Sequence, residues 1–376
     1  MSRNLELYLH IPFCVKKCAY CDFLSGPAGN EQKQAYLDAL LREIRNCGDF
    51  SDYLVTSVFF GGGTPSTFLG EWMERIMDEV RVHFHLHKDA EITTEANPGT
   101  VDMEKLASYR KAGINRISFG CQSADNKELK MLGRIHTWEE FLESYELARR
   151  AGFENINVDL MSGLPGQTAA SWEESLKKVI ALEPEHISAY SLIIEEGTPF
   201  YDMRDSLNLP DEDEERLMYE RTAKILKAYG YGQYEISNYA KEGNACAHNI
   251  GYWTGVEYLG LGLGASSLIN HCRFTNTNNM EEYLKHSDKP EAIRVDVEKL
   301  SVQDEMEEFM ILGLRMNQGV SKAEFEERFH CKIDEVYGEV LQKYASGGFL
   351  KRGNGRIFFS REGISVSNVI LADFLE

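Results

Sequence analysis

The sequence predicts an α/β protein, a partial (β/α) barrel of the TIM type followed by a smaller winged-helix-like unit. Three observations support this prediction. Strand-like and helix-like segments alternate from residue 6 to residue 229, polar or glycine-rich motifs follow the strands, and near Val302 the pattern changes to helices and a hairpin. Alternating segments imply a parallel sheet with right-handed crossovers. About six such units predict a partial or full barrel with its chemistry at the carboxyl ends of the strands.

The elements of the barrel follow from composition and periodicity. Six runs rich in β-branched, aromatic or other apolar residues are predicted as strands: residues 6–11, 54–60, 91–95, 114–119, 155–160 and 186–192. Apolar residues at helical spacing predict helices in the intervals: residues 31–47, 69–84, 103–112, 138–151, 171–181 and 210–229. The acidic run that opens the last helix is interpreted as a helix N-terminus favoured by the dipole.

The chain is long enough for more than one domain. We predict the barrel and its site at 1–240, a connecting segment at 241–300 and the winged-helix-like domain at 301–376. In the last domain, helices at 304–315, 321–329 and 333–346 precede a hairpin around Gly353-Asn354-Gly355. The hairpin is basic, but the helix that would enter a DNA groove carries Asp334, Glu335 and Glu339. DNA binding is therefore the weaker interpretation.

Composition excludes several classes of protein. The formal net charge of −20 argues against nucleic-acid binding, which needs clustered Lys and Arg. No uninterrupted apolar run is long enough to span a bilayer, and no signal peptide opens the sequence, so we expect a cytoplasmic protein. Of eight Cys, three are bunched and five dispersed, unlike a secreted disulfide framework.

The bunched cysteines, Cys14, Cys18 and Cys21, follow the first strand. Thiolates at this spacing favour an iron–sulfur cluster or zinc over magnesium or calcium. Three ligands are one short of a closed zinc site, so either His10 or a distant Cys completes the set, or one metal position stays open for another ligand. A zinc knuckle is the alternative, but it needs a second Cys pair, and the remaining cysteines are isolated: Cys47, Cys121, Cys246, Cys272 and Cys331.

Four further motifs lie at strand ends. Gly61 to Ser66 frees the backbone for a sharp turn or for hydrogen bonds to a ligand. Glu95 and Asp159 end the third and fifth strands, and each has a simple alternative as a helix cap or a solvated acid. The fourth strand leads to two further polar candidates, Gln122 and Arg134.

A histidine lies among aromatic residues in the segment His248-Asn249-Ile250-Gly251-Tyr252-Trp253. Imidazole suits axial ligation of haem iron, and Tyr and Trp suit the flat walls of a haem pocket. A structural histidine is the alternative, because a lone His in an aromatic loop is more often a satisfied core residue. Cys246 could instead supply a thiolate, as could Cys272 beside His271.

The string CVKKCAYCDF resembles the cluster loop of the radical S-adenosylmethionine (SAM) superfamily. With GGGTPS, TEANP and HNIGYW, the sequence is similar to the haem-chaperone branch of that superfamily, relatives of oxygen-independent coproporphyrinogen III dehydrogenase. The resemblance covers nearly the whole chain. It implies a partial barrel of radical SAM type, a 4Fe-4S cluster on Cys14, Cys18 and Cys21, and SAM on the fourth iron.

The resemblance also implies roles for individual residues. Contacts to SAM are expected from Tyr8, Tyr20, Gly62, Gly63, Thr64, Glu95, Gln122, Arg134 and Asp159. His248 is expected to bind haem, because HNIGYW matches the HNxxYW string of the haem-chaperone branch. The C-terminal unit would cover the substrate or contact another protein.

Two functions follow from the resemblance. The first is a haem chaperone that binds the cluster, SAM and haem and passes haem to an unidentified acceptor protein, with peripheral membrane association through that acceptor. The second is coproporphyrinogen III dehydrogenase, a radical SAM enzyme of porphyrin metabolism. This chain departs from the enzyme in having Phe23 where the enzyme has a further Cys, and in the short segment between Met1 and Cys14. We therefore expect SAM binding but not the dehydrogenase activity.

Overall fold

The structure is a computed structural model that describes residues 3–375. Within this part of the chain, one main sheet contains twelve strands. In chain order they are β1 (Arg3–Ile11), β2 (Tyr53–Gly62), β3 (Leu86–Ala96), β4 (Arg116–Gln122), β5 (Asn155–Ser162), β6 (His186–Ser191), β7 (Gly232–Gln233), β8 (Asn238–Ala240), β9 (Glu257–Leu261), β10 (Ser266–Ile269), β11 (Cys272–Asn276) and β12 (Arg294–Lys299).

Helices connect these strands and cover the sheet. They are α1 (Asn30–Asn46), α2 (Gly70–His83), α3 (Met103–Lys111), α4 (Asn126–Met131), α5 (Trp138–Arg150), α6 (Ala169–Ile180), α7 (Pro199–Asp202), α8 (Glu212–Ala228), α9 (Ala247–Thr254), α10 (Met280–His286) and α11 (Pro290–Ile293). Thr137 and Glu140 form a reciprocal capping box that fixes the start of α5, and Thr168 does the same for α6 with Ser171.

The centre of the sheet is a run of parallel strands in chain order, β1 to β6. Their carboxyl ends therefore share one edge, which is where a site is expected in this architecture. β9 pairs in parallel with β1, while β8 pairs antiparallel with β6. Among the strands of residues 3–375 the order runs from β12 to β7, and these two edges do not pair with each other. The barrel is thus partial rather than closed.

The six strands predicted from the sequence are confirmed as β1 to β6, and the predicted helices as α1, α2, α3, α5, α6 and α8. Four strands in the predicted connecting segment, β9 to β12, were not anticipated. In β9 the signal is weak because Gly260 interrupts the strand. A side chain at Gly260 would place Cβ 2.2 Å from the carbonyl oxygen of Ser266, so the close approach of the next strand requires glycine there.

A buried acid ties this added part of the sheet to the barrel. Glu43 on α1 accepts hydrogen bonds from the backbone N–H of Gly262 at 2.8 Å, from Asn276 Nδ2 at 2.6 Å and from the Tyr283 hydroxyl at 2.6 Å. Burial nevertheless dominates these donors and raises the pKa of Glu43 to about 7. The carboxyl group of Glu43 therefore links α1 to the end of β9, to β11 and to α10 inside an otherwise apolar core.

The C-terminal unit has its own small apolar core and its own sheet, ordered β13–β15–β14. Its elements are α12 (Val302–Gly313), β13 (Val320–Ser321), α13 (Lys322–Phe329), α14 (Ile333–Val336), α15 (Gly338–Ser346), β14 (Leu350–Gly353), β15 (Arg356–Phe359), α16 (Arg361–Ser365) and α17 (Ser367–Ala372). The predicted hairpin is present, with Asn354 and Gly355 both at positive φ, as a tight two-residue turn requires. The single helix predicted over 333–346 is wrong in detail, since Tyr337 separates α14 from α15.

None of the helices described between residues 3 and 375 combines the length and the apolar character needed to cross a lipid bilayer.

Candidate functional site

A pocket of about 580 Å³ lies at the carboxyl ends of the parallel strands. Its wall includes eleven of the thirteen residues predicted from the sequence: Cys14, Cys18, Tyr20, Cys21, Gly62, Gly63, Thr64, Glu95, Gln122, Arg134 and Asp159. The other two, Tyr8 and His248, lie outside this wall. Residues separated by up to 145 positions in the chain therefore meet in one place, because consecutive parallel strands deliver their ends to the same edge.

The cysteine loop lies over this edge. Cys14 and Cys18 are buried, Cys21 is half-buried, and all three are free thiols. Burial raises the pKa of Cys14 and of Cys21. The loop is tied to the barrel by backbone hydrogen bonds, including Ala19 N–H to Leu132 O at 2.9 Å and Thr64 N–H to Phe13 O at 2.7 Å.

The three thiols line the wall of one pocket. Within residues 3–375, no three His, Cys, Asp or Glu side chains are arranged to hold a single metal ion. Three thiols spread around one pocket suit a larger inorganic centre in which each thiolate holds a different metal atom. His10 is occupied elsewhere, since its Nδ1 bonds the Tyr8 hydroxyl at 3.0 Å and its Nε2 bonds Leu24 O at 3.0 Å. The donor set therefore fits a cluster with one metal atom not held by this loop.

Arg134 is held against the cysteine loop and is not a solvated cation at a helix end. Its Nη1 donates to Cys18 Sγ at 3.5 Å, and its Nη2 donates to Asn97 Oδ1 and to Gly120 O, each at 2.6 Å. Its Nε is buried and has no partner in the described structure. An unsatisfied buried guanidinium N–H beside the pocket is consistent with a site that binds an acceptor group.

The two carboxyl groups predicted at strand ends also face the pocket, and neither caps a helix in the described chain. Asp159 accepts from Asn157 Nδ2 at 2.7 Å and from Ser118 Oγ at 3.3 Å. Burial raises the pKa of Asp159, and burial together with the nearby Asp159 raises the pKa of Glu95 to about 8. Two acids brought close together and shielded from water favour a ligand that carries positive charge or hydroxyl groups.

The glycine turn brings its backbone into close contact with the neighbouring loop. Gly62 has φ +112, and a Cβ there would lie 2.5 Å from the ring of His10. A Cβ at Gly63 would lie 2.6 Å from Phe13 O. Thr64 Oγ1 accepts from Asn97 Nδ2 at 2.8 Å. Glycine is required at both positions because any side chain would displace the first strand or the cysteine loop.

Gln122 adopts an uncommon backbone conformation for a residue with a side chain, with φ +70. Its Oε1 accepts from the Tyr190 hydroxyl at 2.8 Å, which leaves the amide NH₂ group at the pocket wall. Positive φ at a strand end that also lines a pocket is typical of functional sites.

A second cavity, of about 680 Å³, adjoins the first, and Phe23, Gly62 and Glu95 line both. Tyr8 also lies here. The remaining wall comes mainly from α9, from β9 to β11 and from the C-terminal unit, and it includes Tyr252, Trp253, Tyr258, Leu268, Arg273, Phe309, Leu312, Met316, Arg328 and Arg356. We name it the aromatic cavity, and the first one the cysteine pocket.

The aromatic cavity is lined by apolar and aromatic side chains together with four glutamates and three arginines. Tyr252 packs edge-on against Tyr258 with ring centroids 4.8 Å apart. The indole N–H of Trp253 is buried and has no partner in the described structure. Arg273 pairs with Glu308 and Arg328 with Glu305, whereas Arg356 donates to the carbonyl oxygens of Gln318 and Gly319. Within residues 3–375, Arg356 makes no ion pair, so it is available for a carboxylate.

His248 is buried beside the aromatic cavity but does not line it. Its Nδ1 bonds Ser57 Oγ at 2.8 Å, and its Nε2 bonds the Tyr252 hydroxyl at 3.1 Å. Burial lowers its pKa to about 3, so the imidazole is neutral. The sequence alternatives at Cys246 and Cys272 have partners of their own, since Cys246 Sγ donates to Glu91 Oε1 at 3.3 Å and Cys272 Sγ to Arg273 O at 3.9 Å.

Sequence reasoning missed four residues of the cysteine pocket. Asn97, Arg116, Asn157 and Asn249 all line its wall. Of these residues, Asn97 is the one that the sequence could have indicated, because it follows Glu95 in the same strand-end motif. The sequence does not mark Arg116 as a site residue. It lies in β4, and only the folded structure shows that its side chain is buried.

A parallel partial barrel with three cysteines at its carboxyl edge defines the radical SAM class. The comparisons agree: the Radical SAM superfamily matches residues 8–179, and the HemN C-terminal domain matches residues 300–366. The solved structure described as coproporphyrinogen III oxidase (HemN) from Escherichia coli, a radical SAM enzyme, aligns with a TM-score of 0.86 and 26% identity, covering 99% of this chain and 90% of that one.

Similarity to individual proteins identifies the family within the radical SAM superfamily. Heme chaperone HemW of Bacillus subtilis is 36% identical over 372 residues, 98% of each chain. Heme chaperone HemW of Escherichia coli is 43% identical over 267 residues, 70% of each chain. This chain therefore belongs to the HemW family of the radical SAM superfamily.

Proposed function

We propose that this protein is a haem chaperone that binds a 4Fe-4S cluster and SAM in the cysteine pocket and haem in the aromatic cavity, and passes the haem to an acceptor protein. The observation that carries the proposal is full-length similarity to proteins named heme chaperones, combined with a second cavity beside the cysteine pocket. The identity of the acceptor, and any membrane association through it, belong to the same proposal.

The cysteine pocket has the residues that such cofactors need. Cys14, Cys18 and Cys21 would hold three iron atoms, and the amino and carboxylate groups of SAM would hold the fourth. Arg134 and the free amide of Gln122 would bind acceptor groups of SAM, while Glu95 and Asp159 would bind its amino and hydroxyl groups. When bound, the cluster supplies an electron donor adjacent to SAM.

The aromatic cavity has the size and chemistry for haem. Its volume of about 680 Å³ falls within the range of cofactor sites, and apolar side chains provide most of its wall. Tyr252 and Tyr258 would contact the macrocycle, and Arg356 would bind a propionate group. The C-terminal unit supplies one wall through α12 and α13, so it would cover the bound ligand.

Two measurements test the proposal. Iron, sulfide and zinc analysis of anaerobically reconstituted protein should give iron and sulfide, whereas colourless protein containing only zinc would contradict the cluster. Titration with hemin should give a saturable Soret band near one equivalent. Absence of a saturable band would contradict the chaperone function.

The second candidate is coproporphyrinogen III oxidase activity, favoured by the close match to the HemN structure over nearly the whole chain. Phe23 lies on the wall shared by both cavities, at the position where the sequence departs from that enzyme. Incubation of cluster-loaded protein with SAM, dithionite and coproporphyrinogen III under anaerobic conditions should therefore yield no protoporphyrinogen. Sustained turnover would overturn the chaperone proposal.

A further inference from the structure

Tyr252 separates His248 from the aromatic cavity. Both residues lie on α9 four positions apart, so they share one face of the helix. The Tyr252 ring lines the cavity, while its hydroxyl is hydrogen bonded to His248 Nε2 at 3.1 Å behind that wall. His248 itself is 2% exposed. In this arrangement, the Tyr252 hydroxyl covers Nε2 of the imidazole.

The other side of the imidazole is built to orient it. Nδ1 lies 2.8 Å from Ser57 Oγ on β2 and 3.7 Å from Glu6 Oε2 on β1. Phe59 stacks on the ring with centroids 5.0 Å apart and planes at 21°. We assign the tautomer in which Nδ1–H donates to Ser57 Oγ and Nε2 accepts from the Tyr252 hydroxyl. Histidines that bind metals commonly donate the second ring N–H to such a fixed partner, which sets the tautomer and the ring orientation.

The position of α9 depends on the same group of residues. A Cβ at Gly251 would lie 1.9 Å from Glu6 Oε1, so glycine at this position lets the helix lie directly on the carboxyl group. At its N-terminus, the backbone N–H groups of Ala247 and His248 donate to Glu91 at 3.0 and 3.3 Å. Because the helix is fixed at its start and along its length, Tyr252 can change its side-chain conformation without moving His248 away.

We propose that Tyr252 is a gate. In the haem-free protein its hydroxyl caps Nε2 of His248, and when haem occupies the aromatic cavity the Tyr252 side chain rotates away, so that the Nε2 lone pair binds the iron. No proton is transferred, because Nε2 carries none and Ser57 keeps the Nδ1–H bond; the Tyr252 hydroxyl exchanges its hydrogen bond to Nε2 for one to water or to haem propionate. This inference rests on the proposed haem function and adds the residue that controls access to the ligand.

The test compares hemin titrations of the full-length protein and three variants, followed by Soret absorbance and by EPR of the ferric complex. Tyr252→Phe keeps the ring but removes the cap, so we expect binding about two- to ten-fold tighter than wild type, as the loss of one competing hydrogen bond predicts. Tyr229→Phe is the matched control, since this tyrosine follows α8, is exposed and lines neither cavity. It should leave the affinity unchanged.

His248→Ala should abolish the imidazole-ligated spectrum in protein whose near-UV circular dichroism shows a native fold. If that variant does not fold, the difference in hemin affinity between Tyr252→Phe and Tyr229→Phe decides the question. Unchanged or weaker binding in Tyr252→Phe, or an imidazole-ligated spectrum that survives His248→Ala, overturns the gate. Failure of wild type to bind hemin is a separate outcome, which overturns the haem function and the gate with it.

Discussion

The cysteine pocket and the aromatic cavity share three wall residues but are built in opposite ways. The cysteine pocket is lined mainly by polar and charged residues, most of them on the strands and strand-end loops between residues 14 and 195, with Asn238 and Asn249 added from later in the chain. The aromatic cavity is largely apolar, and its wall combines the first strands with α9, the added strands and the C-terminal unit. One site thus belongs mainly to the barrel, and the other exists only where the later half of the chain covers the barrel.

This difference indicates how a radical SAM barrel is adapted to a new task. In the proposed function, the strand-end residues would hold the cluster and SAM at the edge of the barrel, whereas the added segments supply a cavity of different chemistry beside it. We therefore expect the two sites to respond separately to substitution, and the four predictions below test that separation.

The largest effect is expected from removing the thiols. The combined substitution Cys14→Ser, Cys18→Ser and Cys21→Ser should reduce iron and inorganic sulfide after anaerobic reconstitution to background, because serine hydroxyls do not replace thiolates on an iron–sulfur cluster. Metal and sulfide analysis measures this. Cys331→Ser, on the C-terminal unit, is the control and should retain the full iron content. A triple variant that keeps its cluster would place the ligands elsewhere.

The next effect concerns SAM. Asp159→Asn and Glu95→Gln should each weaken SAM binding to cluster-loaded protein by roughly ten- to hundred-fold, since a hydrogen bond to a charged group contributes about 1.5–3 kcal/mol. Isothermal titration under anaerobic conditions measures the affinity. Glu154→Gln, next to the start of β5 and exposed, is the matched control. Equal behaviour of Asp159→Asn and Glu154→Gln would remove Asp159 from the site.

A third prediction concerns the attachment of the added strands to the barrel. The pKa of Glu43 is raised from 4.5 to about 7 by burial, so the folded protein holds a proton there that the unfolded chain releases. Stability should therefore fall as pH rises from about 4.5 to 7, by no more than about 3 kcal/mol, since one pKa unit corresponds to about 1.4 kcal/mol. Urea unfolding of wild type and Glu43→Gln across this range tests it. The free energy of unfolding should decrease less with pH in Glu43→Gln than in wild type. An equal decrease in both proteins would contradict a protonated Glu43.

The smallest effect is expected at the edge of the aromatic cavity. Arg356→Gln should weaken hemin binding about three- to ten-fold and reduce its salt dependence, because a partly exposed charge-assisted hydrogen bond is lost. Arg352→Gln is the matched control on the same hairpin, where Arg352 Nη1 pairs with Asp334 at 2.7 Å and does not line the cavity. Equal effects of both substitutions would indicate long-range charge rather than a contact.

The contrast between the cysteine pocket and the aromatic cavity also explains which site residues could be predicted from sequence. Cys14 to Cys21, Glu95 and Asp159 lie at strand ends, and a parallel sheet places all strand ends together, so their convergence followed from the pattern of elements alone. His248 could be noticed by its aromatic neighbours, but its burial and its bond to Tyr252 depend on how α9 lies on β1 and β2. Arg356 and Trp253 are 103 positions apart, and nothing local indicates that they share a wall. Interfaces between distant segments are set by tertiary packing, which periodicity does not report.

The most direct test of two separate sites is hemin binding in the absence of the cluster. The triple serine variant should give a saturable Soret band near one equivalent, with an affinity within about two-fold of the cluster-loaded wild type, because no cysteine of the loop lines the aromatic cavity. Loss of that band in a folded triple variant would contradict the assignment of haem to a cavity of its own.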